Sequence, residues 1–251
     1  MNILLTNDDG IYAPGIYAVY LELKKLGKVT VVAPDSERSS VGHGITLAHP
    51  IRQKIVDRKK SFFGYGVSGT PADCVKFAID VLFDKKKPDF LVSGINLGPN
   101  EGCSVFYSGT VAGAREGALM GIPSIAVSLD AYSKPNFLYA AQCARKLVKF
   151  MTKNPLPRGT FLNLNVPNIP ASQIKGIKFT KQCLEPIHGT FKKCKDPNLK
   201  EYYWLTGKAV IKNNDNSVDT YALNNKYVAI TPIHCDSTDH AVFRQYKSFK
   251  L

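Results

Sequence analysis

The sequence predicts an α/β protein built on a Rossmann-like order of elements: a doubly wound, mostly parallel sheet. Three observations carry that prediction. Residues 2–6 (NILLT) form a short apolar run, residues 14–26 keep helical apolar spacing, and residues 28–33 (KVTVVA) form a second strand-like run. Strand, helix, strand in that order is the building unit of a parallel sheet. The alternation then continues to about residue 166. A chain of 251 residues with 44% apolar and 21% charged residues holds one large α/β domain, or one domain plus an appendage. It is not a globally disordered chain.

The first helix is expected over residues 14–26. Pro14 suits its first turn, Ile16, Val19, Tyr20, Leu23 and Leu26 share a face, and Gly27 ends it. A second helix follows Gly69. Thr70 caps it, Pro71 takes the first helical position, and Cys74, Phe77, Ala78 and Val81 make its apolar face. Residues 89–93 (DFLVS) read as a central strand, 109–120 as a third helix and 122–128 (IPSIAVS) as a strand. A helix over 137–151 carries Leu138, Ala141, Ala144, Leu147 and Val148, and residues 160–166 (TFLNLNV) close the regular pattern.

The character changes after residue 170. Lysines 175, 178, 181, 192, 193, 195, 200, 208 and 212 face only Glu185, Asp196 and Glu201 over that stretch. The apolar runs shorten to IKFT, YYWL and YVAITPI, which predicts an antiparallel extension with long loops. We therefore divide the chain into a catalytic core, residues 1–170, and an extension, residues 171–251. No run of about 18 apolar residues is present, so no membrane-spanning helix is expected. The N-terminus lacks the pattern of a signal peptide. The six cysteines contain no CxxC pair, which fits reduced thiols and a cytoplasmic location. The formal charge of +13 points to an anionic partner without naming it.

Four polar segments stand at expected strand or helix ends. The first is Asn7-Asp8-Asp9-Gly10, directly after the first strand. Ligands of open parallel sheets bind beyond the carboxyl ends of the strands. Two adjacent carboxylates there repel each other unless a cation is present, and hard oxygen donors suit Mg²⁺, Mn²⁺ or Ca²⁺. Alone, the segment reads more readily as an Asx turn; its position after the first strand brings the two readings level. The second is the hydroxyl-rich loop 33–40, whose Arg38 is a partner for an acid or a phosphate and whose Asp35 and Glu37 suit local turns. The third, Ser93 to Asn100, offers Asn96 as a neutral oxygen ligand between the permissive Gly94 and Gly98. The fourth is Tyr107-Ser108-Gly109-Thr110, which opens the third helix and so forms an anion site of free N–H groups and hydroxyls. It is neither a Walker A loop nor a dinucleotide fingerprint. Together the four segments describe metal-assisted phosphoryl hydrolysis: a cation polarises a phosphoryl oxygen and lowers the pKa of a bound water.

The stretches MNILLTNDDG, APDSERSSVGHGITL, GTPADCVKFA, VSGINLGPN, YSGTVAGAREGAL, IPSIAVS and YVAITPI, in this order, resemble the SurE (survival protein E) family of 5'/3'-nucleotidases. The resemblance spans almost the whole chain and is densest over residues 1–130. It implies a Rossmann-like core with a β-hairpin extension, and a divalent-metal-dependent phosphatase acting on nucleoside monophosphates, with short polyphosphate as a further substrate of some members. It also implies one divalent metal (Mg²⁺, Mn²⁺ or Ca²⁺) per subunit, held by Asp8, Asp9, Ser39 and Asn96. Ser108, Gly109 and Thr110 match the family's phosphate-side loop. Members form dimers or tetramers with exchanged C-terminal elements. Many carry Gly after the metal-ligand serine, where this chain has Ser40.

On this reading Asp8, Asp9 and Asn96 are the catalytic residues. Water, oriented by Asp9 or Asn96, attacks phosphorus in line, and Asp8 as a metal ligand makes a poor covalent nucleophile. His43 is either structural or a proton donor to the leaving group. His49, His188, His234 and His240 lack metal-ligand spacing. Trp204 belongs with Tyr202 and Tyr203 in hairpin packing, while Tyr107 is placed for base or ribose contact. Two rivals remain open. A nucleic-acid binder fits the charge, yet the lysines are dispersed and no recognition motif is present. A metal-dependent deacetylase or glycosidase fits the ligands but releases no phosphate.

Overall fold

The computed structural model describes residues 1–59, 61–84, 86–186, 189–206 and 215–249. His188, Lys208 and Lys212 lie outside the described residues.

A nine-stranded sheet forms the centre. Its strands are β1 (Asn2–Thr6), β2 (Lys28–Pro34), β3 (Gln53–Arg58), β4 (Ser61–Val67), β5 (Phe90–Leu97), β6 (Ser124–Asp130), β7 (Thr160–Pro167), β8 (Ile177–Phe179) and β11 (Val228–His234). They lie in the order β3-β4-β2-β1-β5-β6-β7-β11-β8. Six neighbours, β4 to β7, run parallel, while β3 and β11 are antiparallel to β4 and β7 respectively. A separate antiparallel hairpin pairs β9 (Thr190–Lys195) with β10 (Glu201–Thr206).

Helices cover both faces. α1 (Pro14–Leu23) and α4 (Leu138–Lys153) pack together on one side. α2 (Pro71–Phe77) and α3 (Gly109–Leu119) pack together on the other. Strand alternation produces this division. Ile3 and Leu5 of β1 join Ile16, Val19, Ala144 and Val148 in one core, while Leu4 between them joins Val32, Cys74, Val75 and Leu91 in the other. Each such fully buried aliphatic side chain contributes about 1.5–3 kcal/mol. α5 (Asp219–Asn224) backs the far end of the sheet, and α6 (His240–Tyr246) buries none of its residues.

The expected elements are present with informative differences. The first helix ends at Leu23 rather than residue 26, because Lys25 and Leu26 turn back with three-residue hydrogen bonds. The second helix starts as expected at Thr70, whose hydroxyl and the Asp73 carboxylate form a reciprocal capping box. It then widens into a π-turn over Ala78–Leu82. The wider turn rotates Val81 off the apolar face, and Val81 is 60% exposed. Leu138, in the first turn of α4, is likewise exposed, whereas Ala141, Ala144, Leu147 and Val148 are buried. The strand expected to end at Ser93 continues to Leu97, with a register shift between Ser93 and Asn96. The segment 177–180, expected in the antiparallel extension, instead contributes β8 to the main sheet, parallel to β11. The β3–β4 hairpin is an addition that the sequence pattern did not indicate.

α3 lies unusually close to the sheet. A Cβ on Gly113 would sit 2.7 Å from Ser93 Oγ, and one on Gly117 would sit 2.4 Å from Ser124 Oγ and 2.8 Å from Leu91 Cδ1. Ser93, Ser124 and Leu91 are all fully buried and have nowhere to move. Gly117→Ala is therefore expected to lower the unfolding free energy by roughly 1–3 kcal/mol, the usual cost of overpacking, despite the better helix propensity of alanine. Urea denaturation followed by circular dichroism measures it; an unchanged midpoint would refute the close approach.

Candidate active site

The chain order places a topological switch point between β1 and β5. From β1 the chain moves outward to β2 and β4, then returns to the other side of β1 as β5. The crevice beyond the carboxyl ends of these two strands is where ligands of open α/β sheets bind. Asp8 and Asp9 leave β1 there, and Asn96 sits near the end of β5.

Asp8 is 3% exposed. Its carboxylate rests against the first turn of α3, accepting a hydrogen bond from the Thr110 hydroxyl and another from the Thr110 backbone N–H. Gly109 makes this contact possible: a Cβ there would fall 2.8 Å from Asp8 Cβ and 3.0 Å from Asp8 Oδ2. Burial nevertheless pushes the Asp8 carboxyl above its ordinary range, more than the Thr110 bonds lower it. Asp9 accepts from the Leu97 N–H at 3.1 Å. Its carboxyl is pushed up to about 7, first by burial and then by the charge on Asp8. Glu37 adds negative charge near both.

Asp8, Ser39, Asn96 and Ser108 line one cavity of about 710 Å³, whose wall also includes Tyr107, Tyr132, Leu205 and Thr206. Ser39 Oγ donates to Glu37 Oε1 at 2.6 Å, and the Asn96 amide donates to the Gly98 carbonyl at 2.8 Å, leaving its oxygen without a protein donor in that bond. Ser108 caps α3, accepting from the Val111 N–H at 3.1 Å. Asp9, Gly109 and Thr110 adjoin Asp8 and Ser108 but are not among the residues that line the cavity. Thr110 was expected to offer its hydroxyl to an anion; the hydroxyl is instead committed to Asp8, and its role is to hold that carboxylate. Arg38 donates its backbone N–H to the Asp8 carbonyl at 2.7 Å, while its Nε is buried without a hydrogen-bond partner among the described residues.

The donor set consists of two carboxylates and neutral oxygens. Among the described residues no group of three or more His, Cys, Asp or Glu side chains is placed to hold a metal. Two adjacent carboxylates with raised pKa and neutral hydroxyl and amide oxygens fit a hard divalent cation and do not fit a zinc-type N/S site. Buried Asn7 Oδ1, beside Asp8, is also without a hydrogen-bond partner among the described residues.

Three of the described histidines, His43, His234 and His240, have side-chain or backbone partners. His43 Nε2 lies 2.8 Å from Glu116 Oε2, on the third turn of α3. His240 pairs with Asp236, and His234 bonds the Asp236 backbone. Trp204 meets Tyr202 edge-on in the hairpin and is 62% exposed. Three features of the site had no sequence signal. Tyr132 reaches the cavity from the turn after β6, and Leu205 and Thr206 reach it from the hairpin. Behind the cavity, Asn163 and Asn165 of β7 clamp Asn100, and Asp219 of α5 accepts from the Gly102 N–H at 2.9 Å. Glu101, beside them, is pushed up to about 8 by burial and by the charges of Asp219 and Asp130.

Comparison with known proteins agrees with this architecture. The family model described as "Survival protein SurE" matches residues 3–188. A protein of Syntrophobacter fumaroxidans named 5'-nucleotidase SurE is 47% identical over 240 residues, covering 96% of each chain. Its namesake from Chlorobaculum tepidum is 46% identical over 250 residues, covering 100% of this chain and 95% of its own. The crystal structure of SurE from Aquifex aeolicus superposes with a TM-score of 0.87 at 41% identity, covering 98% of both chains. Fold and sequence agree: the chain belongs to the SurE family.

Proposed function

We propose that the protein is a divalent-metal-dependent 5'-nucleotidase that hydrolyses nucleoside monophosphates to nucleoside and phosphate. The observation that carries this reading is the Asp8 carboxylate seated on the N-terminus of α3, at the switch point and in the wall of a nucleotide-sized cavity. The names of the relatives support the nucleotide substrate. Nucleoside 3'-monophosphates and short-chain polyphosphate are further substrates on this reading.

Asp8, Asp9, Ser39 and Asn96 would hold one cation, Mg²⁺, Mn²⁺ or Ca²⁺, per subunit. When bound, the cation supplies Lewis-acid polarisation of the phosphoryl group and neutralises the two carboxylates. The chain's own residues do the rest. Ser108 and the first N–H groups of α3 orient the phosphate, aided by the helix dipole. Gly109 keeps the approach to Asp8 open. Asp9 or Asn96 orients the attacking water in line with the leaving oxygen. Tyr107, Tyr132 and Leu205 at the cavity wall offer flat and apolar surface for a base or ribose.

We further propose residues 1–170 as the catalytic core and 171–251 as the extension that builds a homodimer or homotetramer through exchanged C-terminal elements. Exposed Val242, Phe243 and Tyr246 on α6, and Tyr203 and Leu205 on the hairpin, support self-association. No described helix is long and apolar enough to cross a membrane. Specific nucleic-acid binding and membrane binding are not part of this reading, and a cytoplasmic location accords with the free cysteines.

A phosphate-release panel over nucleotides and metals, with an EDTA control, tests the activity. Phosphate from nucleoside monophosphates, abolished by EDTA, is the expected result; release from none would favour another hydrolase class. Asp8→Asn should lower kcat/KM by more than the roughly 10–100-fold typical of losing an outer-shell partner. Its circular dichroism spectrum should be unchanged. Near-normal turnover with added Mn²⁺ would show the site to be wrongly assigned.

The raised carboxyls also set a pH dependence. A cation binds the deprotonated form, so protons compete with it. With the Asp9 carboxyl at about 7, metal affinity should fall as pH drops from 8 to 6, by up to about tenfold per pH unit for one displaced proton. The sign for stability is opposite. Above the ordinary carboxyl range the unfolded chain has lost this proton while the metal-free fold retains it. Metal-free stability should therefore decline as pH rises from about 4 to about 7. Calorimetric Mn²⁺ titration and thermal melts across this range measure the two trends; affinity rising toward acid would contradict the assignment of Asp9.

A further inference from the structure

Residues 35–52 connect β2 to β3 with no helix or strand, yet they carry Ser39. So long an irregular loop does not place a hydroxyl by itself. Between Arg38 and Thr46 this one is fastened at five points. Arg38 N–H donates to the Asp8 carbonyl at 2.7 Å, and Gly42 N–H donates to the Tyr107 carbonyl at 2.9 Å. His43 Nε2 meets Glu116 Oε2 at 2.8 Å. The Thr70 hydroxyl donates to the Gly44 carbonyl at 2.8 Å. Thr46 donates both its N–H and its hydroxyl to the Asp73 carboxylate, at 3.0 and 2.6 Å.

Two of these fasteners end on buried acids that the proposed chemistry does not use. Glu116 is 5% exposed and Asp73 is 3% exposed. Glu116 lies on α3, the helix whose first turn holds Asp8, and Lys76 of α2 also pairs with it at 2.9 Å. Asp73 lies on α2, where it closes the capping box with Thr70. Burial alone would push both carboxyls up, but hydrogen bonds from His43 and Lys76, and from Thr46 and Thr70, outweigh it and hold both below their ordinary range. A buried carboxylate stripped of such partners is costly. The loop and the two helices therefore need each other. The geometry also answers the question left open for His43. Its ring nitrogen is spent on Glu116, two turns along α3 from Ser108, and His43 is absent from the cavity wall.

We propose that His43 and Glu116, seconded by Thr46 and Asp73, are positioning residues that clasp the Ser39 loop onto the same helix that seats Asp8, so that the two donors keep one register for a divalent cation. The inference rests on the metal-site reading above. It makes His43 act through Ser39 and on metal affinity, with no part in proton transfer.

The test measures Mn²⁺ affinity by calorimetry, and kcat at saturating Mn²⁺, on the full chain. His43 is the residue to vary because its side chain is partly exposed and, without it, Lys76 still pairs with Glu116. H43A should raise the Mn²⁺ Kd about tenfold, at the lower end of the range for outer-shell partners, while kcat at saturating Mn²⁺ stays within about twofold. H43Q, whose amide can still donate to Glu116, should recover most of the affinity. Because His43 acts through Ser39, H43A combined with S39A should bind Mn²⁺ no more weakly than S39A alone. Full additivity, an unchanged Kd in H43A, or a kcat loss that saturating Mn²⁺ does not restore would each overturn the clasp. Asp8→Asn is the control: if it still binds Mn²⁺ normally, the metal-site reading falls and takes the clasp with it.

Discussion

The site depends on one contact, the Asp8 carboxylate against the first turn of α3. A carboxylate this deeply buried is costly unless something faces it. Here the opposing groups are the Thr110 hydroxyl and N–H together with the positive end of the helix dipole. The contact dictates what surrounds it. α3 must lie against the sheet, so Gly109, Gly113 and Gly117 stand where a Cβ would strike Asp8, Ser93 and Ser124. The helix must also begin at the carboxyl end of β1, which the right-handed crossover from β5 arranges. The same helix end therefore both seats an acid and presents N–H groups to the cavity.

Electrostatics completes the argument for a cation. The chain carries +13 overall, yet among the described residues no ion pair joins a lysine, arginine or histidine to Asp8 or Asp9. Burial leaves both carboxyls raised, the charge on Asp8 raises Asp9 further, and Glu37 adds to both. Within the protein, such a pair is relieved by protonation or by an outside cation. The excess lysine is spread over the β9–β10 hairpin and other surfaces. At physiological salt its field is screened over about 8 Å, so it attracts anions to the molecule but does not neutralise the pair.

Much of this was legible in the sequence, and the residues show why. NDDG after a short apolar strand, and SGT before a small-residue helix, are local patterns with local physical causes. Both took their expected places. What was not legible depends on distant partners. Val81 left its face because a π-turn intervened, and Ile177–Phe179 left the extension because β11 offered them an edge. Thr110 looked like a phosphate donor because nothing local reveals that Asp8, 102 positions away, takes its hydroxyl. Tyr132, Leu205 and Thr206 reach the cavity only through the fold. Ser40 is the converse case: it adopts φ of 58°, in the left-handed region that favours glycine, and nothing in the local pattern announces that conformation.

The donors divide according to how firmly each must be held. Coulomb attraction between a cation and a carboxylate varies as the inverse of distance and far exceeds that of a neutral hydroxyl. Asp8 and Asp9 accordingly leave the end of a central strand, where neighbours on both sides fix the backbone. Asn96 sits on the adjacent strand, just past its register shift. Ser39, the neutral hydroxyl donor, comes from an irregular loop, and a small displacement there costs less binding energy than one at a carboxylate. Even so, leaving that loop free would charge its ordering entropy to every binding event, at about 1–2 kcal/mol for each residue immobilised. Fastening it in advance to Glu116 and Asp73 moves that cost to folding. On the proposed site, preorganisation of Ser39 is thus carried by two buried acids outside the cavity, Glu116 and Asp73, and through α3 by the same helix that seats Asp8.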